Sequence, residues 1–591
     1  MHYPDVANRD LVDRIPLTAR TVLDVGCGTA ATAAHYKRLN PAVVYFGIDR
    51  DPEACRVAAG RIDHVICADV EAMAQPFGEQ RFDCIIYGDV LEQLRDPWAV
   101  LRQQTALLNP GGVVLVCMPN VEHWSVVHRL ITGQWGYEDT GLFDSAHLRW
   151  FSGKTTHAAL VGAGLVPLDA VGRVFDAGPC EAFVGAMAPA LQRLGVDPRE
   201  YAGRASPLQH IWRATLEPIE RLNIISTMLA PVGGVSHLRV QQPMRALASL
   251  PELFAVVMQG VELPPFEAQS PKIFIFHRPL LLGAEGLQSI RQLIGLGFVV
   301  VCEFDDNPEH IEVLQRPDVQ NFRAVHAIQT STEPLAEVLR SSNPEVAVFA
   351  NAVERVIEPR NFADADRFTL FFGGLNREHD WAEYVAALNE VAAEADGRLR
   401  FRVLHDEALF AALDTPHKEF TPLCDYETYL DLLTQSEISF MPLRDTAFNR
   451  CKSDLKFIEA AQARAVALAS PTVYGETIEN GRTGLIFHNA EDLKRHLRWL
   501  LANPQAARAM AEAARSYVIA TRMQAYQLAD RVAWYRSLWA RRHALTHALL
   551  ARMPELAAAE AGEVPANLGR VLHLPPLEGA AVGGHSARQG T

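Results

Sequence analysis

Asp24, Gly26, Gly28, Asp49, Asp69 and Asp89 have the types and spacing of a nucleotide-like binding site. A β-branched run leads into Asp24, and two glycines one residue apart follow it, where backbone must come close to a ligand. Residues 29–39 have helical composition, so free N–H groups of a helix start face the glycines. The apolar run 43–48 ends at Asp49, a carboxylate able to accept both hydroxyls of a ribose. The run 64–68 ends at Asp69, placed to take an adenine amine, and the run 82–87 leads to Asp89. Turn chemistry alone does not call for a carboxylate at each successive strand end. Gly26-x-Gly28-x-x-Ala31 would also satisfy a loose dinucleotide pattern, and a dehydrogenase is told apart by binding NAD instead.

A fifth run, 113–118, follows the turn Asn109-Pro110-Gly111-Gly112, so alternating strands and helices must position these residues. The chain here resembles the class I S-adenosylmethionine-dependent methyltransferases. The matching pieces are Leu23-Asp24-Val25-Gly26-Cys27-Gly28, Gly47-Ile48-Asp49, Ala68-Asp69-Val70, Asp89-Val90-Leu91-Glu92 and Asn109-Pro110-Gly111-Gly112. The resemblance implies that Gly26 and Gly28 pass under the methionine part of the cofactor and that Asp24 supports its amino group. It gives the ribose to Asp49 and the adenine to Asp69, with Asp89 in the same set. Similar enzymes often carry His after the Glu of the fourth segment, where this chain has Gln93, which is no base. His147, in Asp144-Ser145-Ala146-His147-Leu148-Arg149-Trp150-Phe151, is the alternative catalytic base; packed structure is the competing role.

At 591 residues the chain has room for several domains, and 49% hydrophobic with 21% charged residues is ordinary globular composition. A formal net charge of −15 argues against a nucleic-acid partner, which needs clustered Lys and Arg. Nine cysteines without a C-x-x-C pair suggest neither a zinc site nor a disulfide framework, so a reducing cytoplasm is expected. No leader-like start or membrane-length apolar stretch is read, so the expected place is the cytoplasm or the inner face of a membrane, with peripheral association only.

Beyond residue 221 a second αβ pattern begins, with strand signals at 223–229, 255–257, 272–276, 298–302, 324–329 and 346–349. It restarts at 368–372, followed by Gly373-Gly374, so two αβ layers with a cleft are expected. This part resembles the retaining glycosyltransferases of the two-Rossmann-domain (GT-B) type, family-4-like. The resemblance rests on Gly233-Gly234, Val348-Phe349-Ala350-Asn351-Ala352, Phe372-Gly373-Gly374-Leu375, the stretch from Lys452 to Ala461, and Asn480-Gly481-Arg482-Thr483-Gly484. It implies a nucleotide sugar as donor substrate, Glu459 on the donor ribose, and Gly233 and Gly234 bringing backbone against the donor. Lys452 and Lys456, one helical turn apart, carry charge toward the diphosphate, with Lys452 and Glu459 as catalytic candidates. Two departures stand out: Cys451 where the family has a second Glu, and Gly374 where it has Arg, with Arg377 near enough to replace the charge. Asn449 and Arg450 are further sugar-contact candidates, and His277-Arg278, at a strand end, lies where acceptor or phosphate would pass. Glu303-Phe304-Asp305-Asp306 offers carboxylates at a strand end, yet the metal-free type is the better match, so no metal is expected.

The expected order is a methyltransferase domain over 1–175, a helical appendage over 176–220 after a terminal hairpin near 165–174, and GT-B domains over 221–360 and 361–545. A mobile tail over 546–591 completes it. The function expected is a bifunctional methyltransferase and retaining glycosyltransferase of glycan biosynthesis, acting on a glycan or glycolipid acceptor. The alternative is a methyltransferase with an inactive GT-B glycan-binding module.

Overall fold

The computed structural model describes residues 5–73, 77–228, 233–258, 266, 269–364, 366–374 and 377–557. Leu375, the loop ahead of Gly233, and the chain from 558 onward lie outside the described residues. The chain forms two compact units: residues 1–221 with 248–253, and residues 222–247 with 254–591.

The first unit is built on a seven-stranded sheet in the order β3-β2-β1-β4-β5-β7-β6. Its strands are β1 (Thr21–Val25), β2 (Val44–Asp49), β3 (His64–Cys67), β4 (Phe82–Gly88), β5 (Leu108–Pro119), β6 (Val166–Arg173) and β7 (Gln209–Thr215). The first five run parallel, and β7 lies antiparallel between β5 and β6. β1, flanked by β2 and β4, is the point where strand order reverses, and sheets of this kind receive ligands beyond the carboxyl ends of strands at such a point.

The terminal hairpin differs from the expectation. β6 pairs not with its neighbour in sequence but with β7, and helices Gly178–Arg193 and Pro198–Ala205 stand between them. The Ala- and Leu-rich stretch is therefore an insertion inside the sheet connection, and its last seven residues before Leu216 are strand. Asp169 on β6 faces its register partner Arg213 on β7 at 2.7 Å and also meets Arg14 at 2.8 Å. These guanidinium groups hold the carboxyl of this half-buried residue at a pKa of about 2, against the desolvation that burial imposes.

The second unit holds two six-stranded sheets. The first comprises β8 (Leu222–Thr227), β9 (Leu253–Met258), β10 (Lys272–His277), β11 (Val299–Glu303), β12 (Ala327–Thr330) and β13 (Val346–Val348), in the order β13-β12-β11-β10-β8-β9. The second comprises β14 (Phe368–Phe372), β15 (Leu399–Leu404), β16 (Lys418–Thr421), β17 (Ile438–Met441), β18 (Val466–Ala469) and β19 (Leu485–Ile486), in the order β16-β15-β14-β17-β18-β19. The central strands β11 and β14 read as nearly continuous Val, Leu and Phe runs because both faces of a parallel sheet are covered.

The expected tail is also corrected, because helix Arg542–Arg552 and the turn Pro554–Leu556 occupy its first residues. Leu549, Met553 and Leu556 are buried in the core of the first of these sheets, among Phe276, Phe304 and Leu335. Burial of that size contributes about 1.5–3 kcal/mol per large side chain, enough to fix the segment.

Candidate functional site

In the first unit, β1 delivers Asp24 into the interior and hands the chain to Gly26 and Gly28, at φ of +73° and +53°. Both angles lie in the region that favours glycine. A Cβ on Gly26 would also come within 2.8 Å of the Val90 side chain, so the turn has no room for one. The Gly26 and Cys27 N–H groups both donate to the carbonyl of Ile48, binding this turn to the end of β2.

Asp49 ends β2 and is buried, accepting from Gly28 N–H at 2.8 Å through Oδ2 and from Asp51 N–H at 2.9 Å through Oδ1. Asp24 accepts from the Tyr45 hydroxyl at 3.2 Å. Burial pushes the Asp24 carboxyl up to about 7; the Tyr45 hydroxyl opposes this and the charge of Asp49 adds to it. Asp69 is exposed at the start of the turn Val70–Ala72, where its side chain accepts from Glu71 N–H at 3.0 Å. Asp89 adopts φ +55°, accepts from Gln209 Nε2 at 2.7 Å, and is lifted by burial to about 6. The fold thus brings Asp24, Gly26, Gly28, Asp49 and Asp89 to the carboxyl ends of three adjacent strands. A buried carboxyl, a loop closed to any side chain and a carboxylate at the end of β2 fit an adenosyl cofactor with a charged amino group.

The His147 side chain is buried against Glu92, which follows Asp89 by three residues. Its Nδ1 sits 3.2 Å from the Leu142 carbonyl, which can only accept, so the proton is on Nδ1 and Nε2 carries the lone pair. That Nε2 is 3.7 Å from Glu92 Oε1. Glu92 is 1% exposed, and neither of its carboxyl oxygens has a hydrogen-bond partner among the described residues. Burial and the neighbouring Asp89 push its pKa well up, whereas burial lowers that of His147. Glu92 was legible as part of the Asp89-Val90-Leu91-Glu92 segment, but its pairing with a residue 55 positions on was not.

In the second unit, Glu459 lies on helix Leu455–Gln462 and is 1% exposed. The Tyr426 hydroxyl donates to Oε1 at 3.0 Å, the Tyr429 hydroxyl to Oε2 at 2.7 Å, and Lys456 Nζ to Oε2 at 3.3 Å. Both tyrosines come from one helix, Tyr426–Thr434, three residues apart, a spacing that puts two rings on one face. The rings stack 5.9 Å apart, His237 stacks on Tyr426, and Lys456 lies over Tyr429. Gly234, at the start of the first half's helix, meets the same Tyr426 ring; a Cβ there would be 3.1 Å from it. Gly233 lies on helix Gly233–Ser236 beside it. Neither tyrosine was read from the sequence.

The remaining cations are paired inside the protein. Lys452 forms an ion pair with Asp306, which also meets Arg278 at 2.8 Å, while Arg278 reaches Asp305 at 2.6 Å. Arg377 is held by Asp380 at 3.1 Å and Asn449 at 2.9 Å. Arg450, exposed, pairs with Asp445. Cys451 packs into the core of the first sheet, where Asn307 Nδ2 donates to its sulfur at 3.5 Å. Asp305 and Asp306 therefore serve as counter-ions to Arg278 and Lys452, and the guanidinium of Arg278 holds the Asp305 carboxyl far below the usual range against desolvation. Chelation by EDTA should accordingly leave nucleotide-sugar affinity unchanged; a loss of more than about tenfold, restored by Mn²⁺ or Mg²⁺, would make this pair metal ligands.

Residues 2–170 match the family model described as a methyltransferase domain, and residues 381–533 match that of a glycosyl transferase-like domain. Ubiquinone biosynthesis O-methyltransferase of Cereibacter sphaeroides is 26% identical over 175 residues, 29% of this chain and 69% of that protein. Trans-aconitate 2-methyltransferase of Escherichia coli is 32% identical over 136 residues, 22% of this chain and 53% of that one. Among solved structures, TarM of S. aureus aligns at 12% identity with a TM-score of 0.33, covering 49% of this chain and 55% of that chain. A SAM-dependent methyltransferase from Archaeoglobus fulgidus aligns at 14% identity with a TM-score of 0.25, covering 35% of this chain and 90% of that one. The chain thus spans about half the length of the trans-aconitate enzyme and of TarM.

Proposed function

From a chain that carries a methyltransferase domain and, after it, a glycosyl transferase-like domain, we propose a bifunctional transferase of glycan biosynthesis. It moves a methyl group from S-adenosylmethionine and a sugar, with retention, from a nucleotide sugar, both onto a glycan or glycolipid acceptor. The observation that carries the methyl-transfer half is the His147 and Glu92 pair beside the glycine turn.

S-adenosylmethionine supplies an electrophilic methyl group. Asp24 would hold its amino group, the Gly26 to Gly28 turn its methionine part, Asp49 its ribose and Asp69 its adenine. His147 would take the proton of an acceptor hydroxyl on Nε2, beside Glu92, whose carboxyl burial pushes well up. His147→Ala should lower the rate of methyl transfer by roughly 10²–10³-fold, measured by transfer of labelled methyl groups, while S-adenosylmethionine affinity stays within about twofold. Equal loss of rate and cofactor affinity would mark His147 as structure alone.

Asp24 makes cofactor affinity depend on pH. Its carboxyl is raised in the folded protein, so it adds stability below about pH 4 that is lost as pH climbs through about 7. An ammonium group beside it favours the carboxylate, and binding below pH 7 must therefore release a proton. Affinity should rise with pH up to about 7, by as much as about tenfold per unit, and level off above. Calorimetry at pH 6 and 8 in buffers of different ionisation enthalpy reads both the affinity and the proton; equal affinity with no proton released removes Asp24 from the site.

One observation favours a second reading of the glycosyl transferase-like half. Cys451 is packed as core, and the cations expected at the diphosphate are internally paired, which suits a glycan-binding module without turnover. Release of nucleoside diphosphate from a panel of UDP-, GDP- and dTDP-sugars separates a transferase from a binding module.

A further inference from the structure

His277 is the last residue of β10, in register with Glu303 at the end of β11 and, through it, with Gln329 on β12. These three form a polar row across the carboxyl edge of the first sheet of the second unit. Two of the three are fully engaged. Glu303 accepts from Arg239 Nε at 2.8 Å and from Gln329 Nε2 at 2.7 Å, while Gln329 accepts from the Tyr535 hydroxyl at 2.7 Å. Arg239 is anchored in turn on the Phe349 carbonyl and the Asn351 side chain.

His277 stands apart. It is 1% exposed, yet neither Nδ1 nor Nε2 has a hydrogen-bond partner among the described residues. A buried ring with two unsatisfied polar atoms costs stability, and no hydrogen bond among the described residues offsets it. The next residue, Arg278, adopts φ +44°, a left-handed conformation unfavourable to its side chain, while its guanidinium holds Asp305 and Asp306. Carboxyl ends of parallel strands are where αβ sheets of this kind receive ligands.

We propose that His277 is a ligand-contact residue of the second unit and that its ligand group is a sugar hydroxyl. This rests on the sugar-handling function proposed above. A neutral imidazole offers one N–H and one lone pair, and a hydroxyl meets both, since it accepts and donates. Burial holds this ring neutral, with its pKa lowered to about 4. A phosphate at neutral pH mainly accepts, so it would leave the ring's lone pair without a donor, and the charge of Asp305 near the ring is countered by Arg278 and Arg239. The hydroxyl belongs either to the donor sugar or to a glycan acceptor, and the two sources separate experimentally.

The test uses the full chain and three variants, His277→Phe, His277→Leu and His277→Asn. Affinities are measured by calorimetry for UDP, GDP and dTDP, for the corresponding nucleotide sugars, and for a panel of neutral oligosaccharides. The unsubstituted protein should bind one nucleotide sugar, or one oligosaccharide, more tightly than the matching ligand without that sugar. In His277→Phe and His277→Leu that advantage should fall about tenfold, with nucleoside diphosphate affinity unchanged, and His277→Asn, which keeps a donor and an acceptor, should retain part of it. Loss confined to the nucleotide sugars assigns the donor; loss confined to the oligosaccharides assigns the acceptor. Without ligand, the Phe and Leu variants should melt at or above the temperature of the unsubstituted protein, because the unsatisfied atoms are gone. A sugar advantage that persists in both variants overturns the proposal, as does a large drop in melting temperature in both, which would make the ring structural. If the unsubstituted protein binds no sugar ligand at all, the sugar-handling function itself falls and the proposal with it.

Discussion

Asp49→Ala should cost the first unit about 3–4 kcal/mol of S-adenosylmethionine binding, roughly two to three orders of magnitude in Kd. The size follows from two roles in one carboxylate. Its oxygens already fix the glycine turn, through Gly28 N–H at 2.8 Å, and the start of the next helix, through Asp51 N–H at 2.9 Å. Ribose hydroxyls would donate to the same carboxylate at the end of β2. Removing the side chain would take away the proposed ribose acceptor and loosen the glycine turn. Asp49→Asn keeps one carbonyl acceptor and the same volume, so its loss should be intermediate. Calorimetry on the full chain reads both, with thermal denaturation as the control for folding. Affinity unchanged in Asp49→Ala would remove the adenosyl assignment from this site.

How much of this was legible follows from how local each signal is. The candidates of the first unit stand out along the chain because a strand, the carboxylate at its end and the glycines after it lie within eight residues, and a carboxylate at a strand end recurs at β2 and β4. β7 escaped because its sequence, Gln209 to Thr215, follows two Ala-rich helices, and its strand character depends on the β5 and β6 edges it joins. The helix carrying Leu549 escaped for the same reason. Its apolar face is buried against residues more than two hundred positions earlier, while its Ala- and Leu-rich composition leads into a polar, glycine-rich end. Among the candidate groups, sequence named Glu459, Lys452 and Arg377 but could not say that each is engaged within the protein. Tyr426 and Asp306 lie on other elements than Glu459 and Lys452, and Asp380, three residues from Arg377, carries no motif of its own. Cys451 reads as a missing carboxylate along the chain, whereas in the fold it is a core residue.

Glu459 is the group for which that engagement matters most, and Glu459→Gln should lower nucleotide-sugar affinity by more than about tenfold without unfolding the second unit. The carboxylate is buried with Oε1 accepting from the Tyr426 hydroxyl, and Gly234 comes close to that ring, so a ribose on Oε1 would contend with the Tyr426 hydroxyl. The hydroxyl and the ribose then compete for one acceptor. Tyr426→Phe keeps the ring and its stacking on Tyr429 and His237 but removes the competitor, so its nucleotide-sugar affinity should equal or exceed that of the unsubstituted protein. Glu459→Ala is the severe case: it takes the acceptor from two buried phenols and the partner from Lys456, and should cost roughly 2–4 kcal/mol of stability as well as binding. The Gln and Phe variants therefore carry the decision. Opposite effects of the two on affinity, with similar melting temperatures, assign the ribose to Glu459. If Glu459→Gln binds nucleotide sugar as tightly as the unsubstituted protein and Tyr426→Phe changes only stability, the carboxylate serves the tyrosine pair alone. The donor ribose must then be held from another element.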